Sequence, residues 1–187
     1  ADVSKEFPGS TLHHQGPHVA YITQVAQAIL PYRARKNLAY QFYVLENAGF
    51  ENAFALPGGH IVFTSELYHN WLENEAQLAT ILSHEIIHVD QKHTTAAYEY
   101  ARQFRLSEHE LSLLFINLAS RVFYSSKRES ESDALGVELL HKAGYSVFQS
   151  VRLWEKIAQS QPPLPPANNK FEEYFAKFAK LFASHPN

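Results

Sequence analysis

Apolar residues recur along this chain with two periods, and the change from one to the other outlines the fold. From His18 to Ala34, Val19, Ile22, Val25, Ala26, Ile29 and Leu30 fall at helical spacing. This predicts a first helix that Pro31 ends or bends. Tyr40, Phe42 and Val44 then alternate with Gln41, Tyr43 and Leu45, a period-two run rich in aromatic and branched side chains that predicts a strand. Asn52–Leu56 and His60–Thr64 read as two more strands around the turn signal Pro57-Gly58-Gly59, so a small antiparallel sheet is expected. After Ser65 the spacing returns to three and four, predicting helices over Ala76–Lys92, Glu108–Ser125, Arg128–Lys142 and Val147–Ser160. Gly144 supplies a stop after the third of these.

The ends are patterned differently. Residues 1–17 carry Pro8, Gly9, Gly16 and Pro17 with little periodicity and read as an irregular arm. Residues 161–169 contain Pro162-Pro163-Leu164-Pro165-Pro166, a stiff extended linker. Beyond it, residues 170–183 place Phe171, Tyr174, Phe175, Phe178, Leu181 and Phe182 on a C-terminal amphipathic helix. That helix is expected to pack over the remainder of the domain, with a membrane or partner surface as the alternative. The pattern predicts an α+β fold, mostly helical with one small sheet and no internal repeat.

Composition narrows the chemistry. A length of 187 residues suits a single domain spanning 1–187, and 45% hydrophobic with 19% charged residues is globular composition. Sixteen Lys and Arg against nineteen Asp and Glu leave a net charge of -3, without the basic excess that phosphate binding needs, so no nucleic-acid partner is expected. The absence of cysteine removes disulfides, thiolate metal sites and a cysteine nucleophile together. No stretch approaches the roughly 20 apolar residues of a membrane span, so no transmembrane segment is expected in this chain. There is no methionine, which predicts a processed or excised product, with a removed export signal as the favoured origin. Histidine is abundant, at eleven, whereas aspartate is confined to Asp2, Asp90 and Asp133.

The candidate chemistry lies in His84-Glu85-Ile86-Ile87-His88, within a predicted helix. Residues i and i+4 share a helix face, so His84 and His88 can converge on one zinc ion while Glu85 lies beside the open coordination position as general base. An amphipathic helix with two histidines hydrogen-bonded near a core would carry the same letters. Zinc needs a third ligand. Gln91 and Thr94 stand where a metzincin needs glycine and histidine, and His93, five residues past His88, points off the metal face if the helix continues. Glu129 and Asp133 sit one turn apart on a later helix and share a face, while Glu131 projects about 160 to 200 degrees away from both. Glu129 as ligand leaves Asp133 to accept a hydrogen bond from the distal nitrogen of a ligating histidine. An acidic helix start would also explain Glu129 and Glu131, though not Asp133 deeper in the helix.

These residues resemble metallopeptidase family 48, the gluzincin family that includes the CAAX prenyl protease, HtpX, Oma and BepA types. The resemblance runs from about Asn52 to Pro186: Asn52–Gly59 with His60–Thr64 is similar to its strand and turn, Glu75–Ala79 with His84–His88 to its zinc helix, and Glu129–Gly136 to its third-ligand segment. It implies a zincin-like catalytic domain with the sheet beside the His-Glu-x-x-His helix, holding a single zinc ion on His84, His88 and Glu129, with Glu85 as base and Asp133 orienting a histidine. It further implies that His60, Ile61, Val62 and Phe63 form an edge strand to which a substrate peptide adds. Ser184-His185-Pro186 resembles the family's late His-Pro motif, making His185 a candidate regulatory or oxyanion residue, with a surface histidine as the alternative. The implied function is zinc-dependent endopeptidase action on exported or misfolded envelope polypeptides. Periplasmic or otherwise exported residence and membrane-associated or envelope partner proteins go with it. The rival is a latent or non-catalytic zinc-binding, chaperone-like module of the same fold.

Overall fold

A computed structural model describes residues 9–102 and 126–160. In chain order its elements are β1 (Thr11–His13), α1 (Pro17–Ile29), a 3-10 turn (Leu30–Tyr32), β2 (Gln41–Glu46), β3 (Ala53–Leu56), β4 (His60–Thr64), α2 (Ser65–Asn70), α3 (Glu75–Asp90), α4 (His93–Arg102), α5 (Ser126–Lys142) and α6 (Val147–Ser160). The α+β, mostly helical expectation holds. The helix expected over Glu108–Ser125, the 161–169 linker, the 170–183 helix and His185 lie outside the described residues, as do the first eight residues of the expected arm.

The sheet is mixed, where an antiparallel one was expected. Its order is β1-β2-β4-β3, with β2 and β4 parallel and the other two pairings antiparallel. The β3–β4 hairpin folds back so that β4 inserts between its own partner and β2, pairing Gln41 with His60 and Leu45 with Thr64. The expected substrate edge strand is thereby corrected: His60, Ile61, Val62 and Phe63 are flanked by strands on both sides. Periodicity reports which residues alternate, not which strand a hairpin returns beside. A second correction concerns the arm, because Thr11–His13 pairs with β2, a strand too short to show a period.

The hairpin turn depends on Gly59. Its φ is +89, and a Cβ there would lie 2.5 Å from the carbonyl oxygen of Ala39, so no other residue fits without moving the backbone. The first helix stops at Ile29, short of Ala34. Pro31 has no N–H, and its ring opposes the carbonyl one turn back, which confines Leu30–Tyr32 to a 3-10 turn.

Helix α3 is the centre of the molecule. Asn74 caps it by accepting from the Gln77 amide at 3.0 Å, and every residue from Gln77 to Asp90 is buried. Burial on all faces follows from its neighbours: α1, β3, α5 and α6 all pack on it. Leu78, Ala79, Leu82, Ile86 and Val89 join Ile22, Ile29, Ile61, Phe63, Leu140 and Leu153 in one core, where each large aliphatic side chain contributes about 1.5–3 kcal/mol of transfer free energy. The C-terminal end of α3 is anchored as well, since Asp90 accepts from the Ala34 amide at 2.6 Å and from the Tyr40 hydroxyl at 2.9 Å. No helix among the described residues is long and apolar enough to cross a membrane.

Candidate metal centre

Against this apolar frame, α3 buries a run of polar side chains, which is costly unless each finds a partner. His84 and His88, one turn apart, bring their Nε2 atoms to 2.9 Å. From α5, Glu129 places Oε2 at 3.4 Å from His84 Nε2 and Oε1 at 3.4 Å from His88 Nε2. Two imidazole nitrogens and a carboxylate oxygen thus lie within 4.8 Å of one another. The donor set suits zinc, which takes nitrogen and oxygen ligands at 2.0–2.1 Å in a tetrahedron and so holds them about 3.3 Å apart. Three protein donors leave the fourth position of such a tetrahedron for water or substrate. His84, His88 and Glu129, the residues singled out from the spacing, are thus brought together.

The second nitrogen of His84 is also engaged: Nδ1 lies 2.9 Å from Asp133 Oδ1. Asp133 therefore sits where the i+4 relation to Glu129 puts it, and its carboxylate accepts from His84 Nδ1, an arrangement that gives Nε2 the lone pair whenever the ring is neutral. Burial works against a charge on His84, but the hydrogen bonds to Asp133 and Glu129 outweigh it and push its pKa up to about 10. His88 goes the other way. Burial first, then its cationic surroundings with His84 foremost, holds it far below its ordinary value, as a neutral ring. The two rings thus differ in charge, with His84 holding its second proton and His88 staying neutral.

Glu85 is buried and lies on the side of α3 that meets β3. Burial pushes its carboxyl up to about 8, only partly offset by the charge on His84 and by a hydrogen bond from the Ala55 backbone of β3. A carboxyl group poised near neutrality can take up and return a proton. Strand β3, not β4, is accordingly the strand at this site, and it has no strand partner on its outer side among the described residues. His60 is occupied elsewhere, with Nδ1 3.0 Å from the Tyr43 hydroxyl.

Three further features were not foreseen. The Trp154 ring of α6 lies 5.5 Å from that of His84. With Thr80, Ser132, Asp133 and Gly136 it lines a small cavity beside His84. His93, which a continuous helix would have carried away, instead packs its ring 5.2 Å from His88. Glu131 lies 3.3 Å from His93 Nε2 and is not among the three converging donors. Trp154 could not be found by motif spacing, since it reaches His84 only through the packing of α6 on α3.

Comparison with known proteins supplies the wider context. The β-barrel assembly-enhancing protease of Yersinia pestis is 26% identical over 188 residues, covering 89% of this chain and 36% of that protein. The same-named protease of Escherichia coli strain K12 is 26% identical over 168 residues, covering 76% of this chain and 34% of its own length. The mitochondrial metalloendopeptidase OMA1 of Schizosaccharomyces pombe is 25% identical over 166 residues, covering 83% of this chain and 49% of that protein. The chain thus spans between about a third and a half of the length of these three relatives. The family model for peptidase family M48 matches residues 18–187, nearly the whole chain, and the protein belongs to that family.

Proposed function

We propose that this chain is the catalytic domain of a zinc-dependent endopeptidase, with His84, His88 and Glu129 holding the metal and Glu85 acting as general base. The observation that carries this reading is the convergence of His84 Nε2, His88 Nε2 and the Glu129 carboxylate beside a buried carboxyl group. A zinc ion held there supplies Lewis acidity, polarising a peptide carbonyl and making water a nucleophile at neutral pH. Glu85 removes a proton from the attacking water and returns it to the departing amine. Asp133 holds His84 in the required tautomer throughout.

The substrate proposed is a polypeptide in extended form, lying along β3 and pairing with its outer edge through main-chain hydrogen bonds. Such pairing reads backbone more than side chains, which suits exported or misfolded envelope proteins. The β-barrel assembly-enhancing relatives support periplasmic or otherwise exported residence and envelope partners, whereas the mitochondrial relatives point to another compartment.

Glu85→Gln tests the mechanism. The variant keeps its zinc and loses hydrolysis of an unfolded polypeptide by about 10²–10⁴-fold. Undiminished turnover by pure, zinc-loaded variant protein would remove Glu85 from the role. Absence of hydrolysis in the zinc-loaded wild type would favour a non-catalytic module of the same fold.

A further inference from the structure

Helix α3 ends at Asp90, and the chain turns through Lys92, whose φ of 61 is left-handed, so that α4 starts at His93 in a new direction. This turn folds His93 back beside the helix it has just left. The ring is 5% exposed, with Nδ1 3.1 Å from His88 Nδ1 and Nε2 3.3 Å from Glu131 Oε2. Ser132 Oγ lies 3.5 Å from the same Nδ1, at the outer limit of a hydrogen bond.

The proton positions follow from these contacts. Two imidazole nitrogens at 3.1 Å need one proton between them. Nε2 of His88 faces His84 and Glu129 and must offer its lone pair to a metal ion, so the proton of the neutral ring is on Nδ1. His88 therefore donates to His93 Nδ1, His93 carries its own proton on Nε2, and that proton is donated to Glu131. With both rings neutral, this is the assignment that satisfies both contacts and frees the metal-facing nitrogen.

We propose that His93 and Glu131 are positioning residues that fix the orientation and tautomer of His88 through a His88–His93–Glu131 relay. The inference rests on the metal-binding reading above and extends it. The relay is the counterpart of the direct His84–Asp133 contact, with one ring interposed, and its terminal carboxylate makes His88 Nε2 a stronger donor. Three acidic residues on α5 thereby divide the work: Glu129 binds metal, Asp133 orients His84, and Glu131 orients His88 at one remove.

The experiment measures zinc affinity by chelator competition at fixed pH for wild type, His93→Leu, His93→Gln and Glu131→Ala, together with nitrogen-15 NMR of the histidine rings in the zinc-loaded proteins. His93→Leu is expected to weaken binding about 10–100-fold. His93→Gln, whose amide can accept from His88 and donate to Glu131, is expected to restore most of it. Glu131→Ala causes a smaller loss and, because Glu131 has 44% of its side chain exposed, serves as the deciding variant if His93→Leu does not fold. In wild type the NMR signals should show protonated Nδ1 on His88 and protonated Nε2 on His93. Wild-type affinity in both His93→Leu and Glu131→Ala, or a His88 ring protonated on Nε2, would overturn the relay. A His93→Gln variant as weak as His93→Leu would reduce His93 to a packing residue and overturn it too. A wild type that takes up no zinc would instead overturn the metal reading on which the relay depends.

Discussion

Burying a histidine in a helix core is unfavourable unless both ring nitrogens find partners, and His84 and His88 find all four. Asp133 and His93 take the outer nitrogens, and Glu129 spans the inner pair. Unlike the apolar side chains around them, these residues hold their places through hydrogen bonds and charge. Glu66 shows the same principle outside the site. Its partial burial raises the carboxyl pKa, but the backbone N–H of Gly49, its own amide and the Ser65 hydroxyl outweigh that and bring it below 4.5. Gly49 donates to Oε1 at 2.6 Å, tying α2 to the link between β2 and β3 and so to the strand beside Glu85. A carboxyl group with a lowered folded-state pKa adds stability above its unfolded value, and that contribution is lost as pH falls through the folded one. Glu66→Gln should therefore unfold at lower denaturant than wild type at pH 7, with the two converging as pH falls through the folded-state pKa of Glu66. An unchanged gap at the acid end would remove the charge from the explanation.

At the scale of elements, the site depends on how closely α5 approaches α3. Gly136 sits at that contact, where a Cβ would lie 3.3 Å from both the nitrogen and the Cα of His84. The absent side chain lets the helix carrying Glu129 and Asp133 lie against the helix carrying the histidines. Gly136→Val should push the two apart, cost about 1–3 kcal/mol in denaturant unfolding and weaken zinc binding. Gly136→Ala, needing a shift of a few tenths of an ångström, should do less of both. A valine variant with wild-type stability and affinity would show that the contact does not set the geometry. The same elements explain what could be read in advance. The pairings His84 with His88 and Glu129 with Asp133 follow from the 3.6-residue helical period alone, and the sequence resemblance assigned them the same roles. His93 and Glu131 were legible only as residues facing elsewhere, because the left-handed turn at Lys92 redirects the chain. The interior position of β4 was likewise hidden, since strand order depends on pairing between β2 and β4, which are separated in the chain by β3 and its turns.

Viewed as a whole, the described molecule is a helix of polar function enclosed between a four-stranded mixed sheet and two later helices. The sheet presents β3 to Glu85, while α5 brings Glu129 to the two histidines and Asp133 to the outer nitrogen of His84. No single segment contains the site, which is why membership of the M48 family over residues 18–187 and the geometry carry complementary information. The family relation gives the context, and the convergence of His84, His88 and Glu129 gives the chemistry. The most direct test of the account is the metal content of wild-type protein purified with neither added metal nor chelator, set against Glu129→Ala. The account predicts about one zinc per wild-type chain, held at three protein donors, and little or none in the variant. Wild-type protein that holds no zinc even after zinc is supplied, or a Glu129→Ala variant that holds it as firmly as wild type, would contradict it.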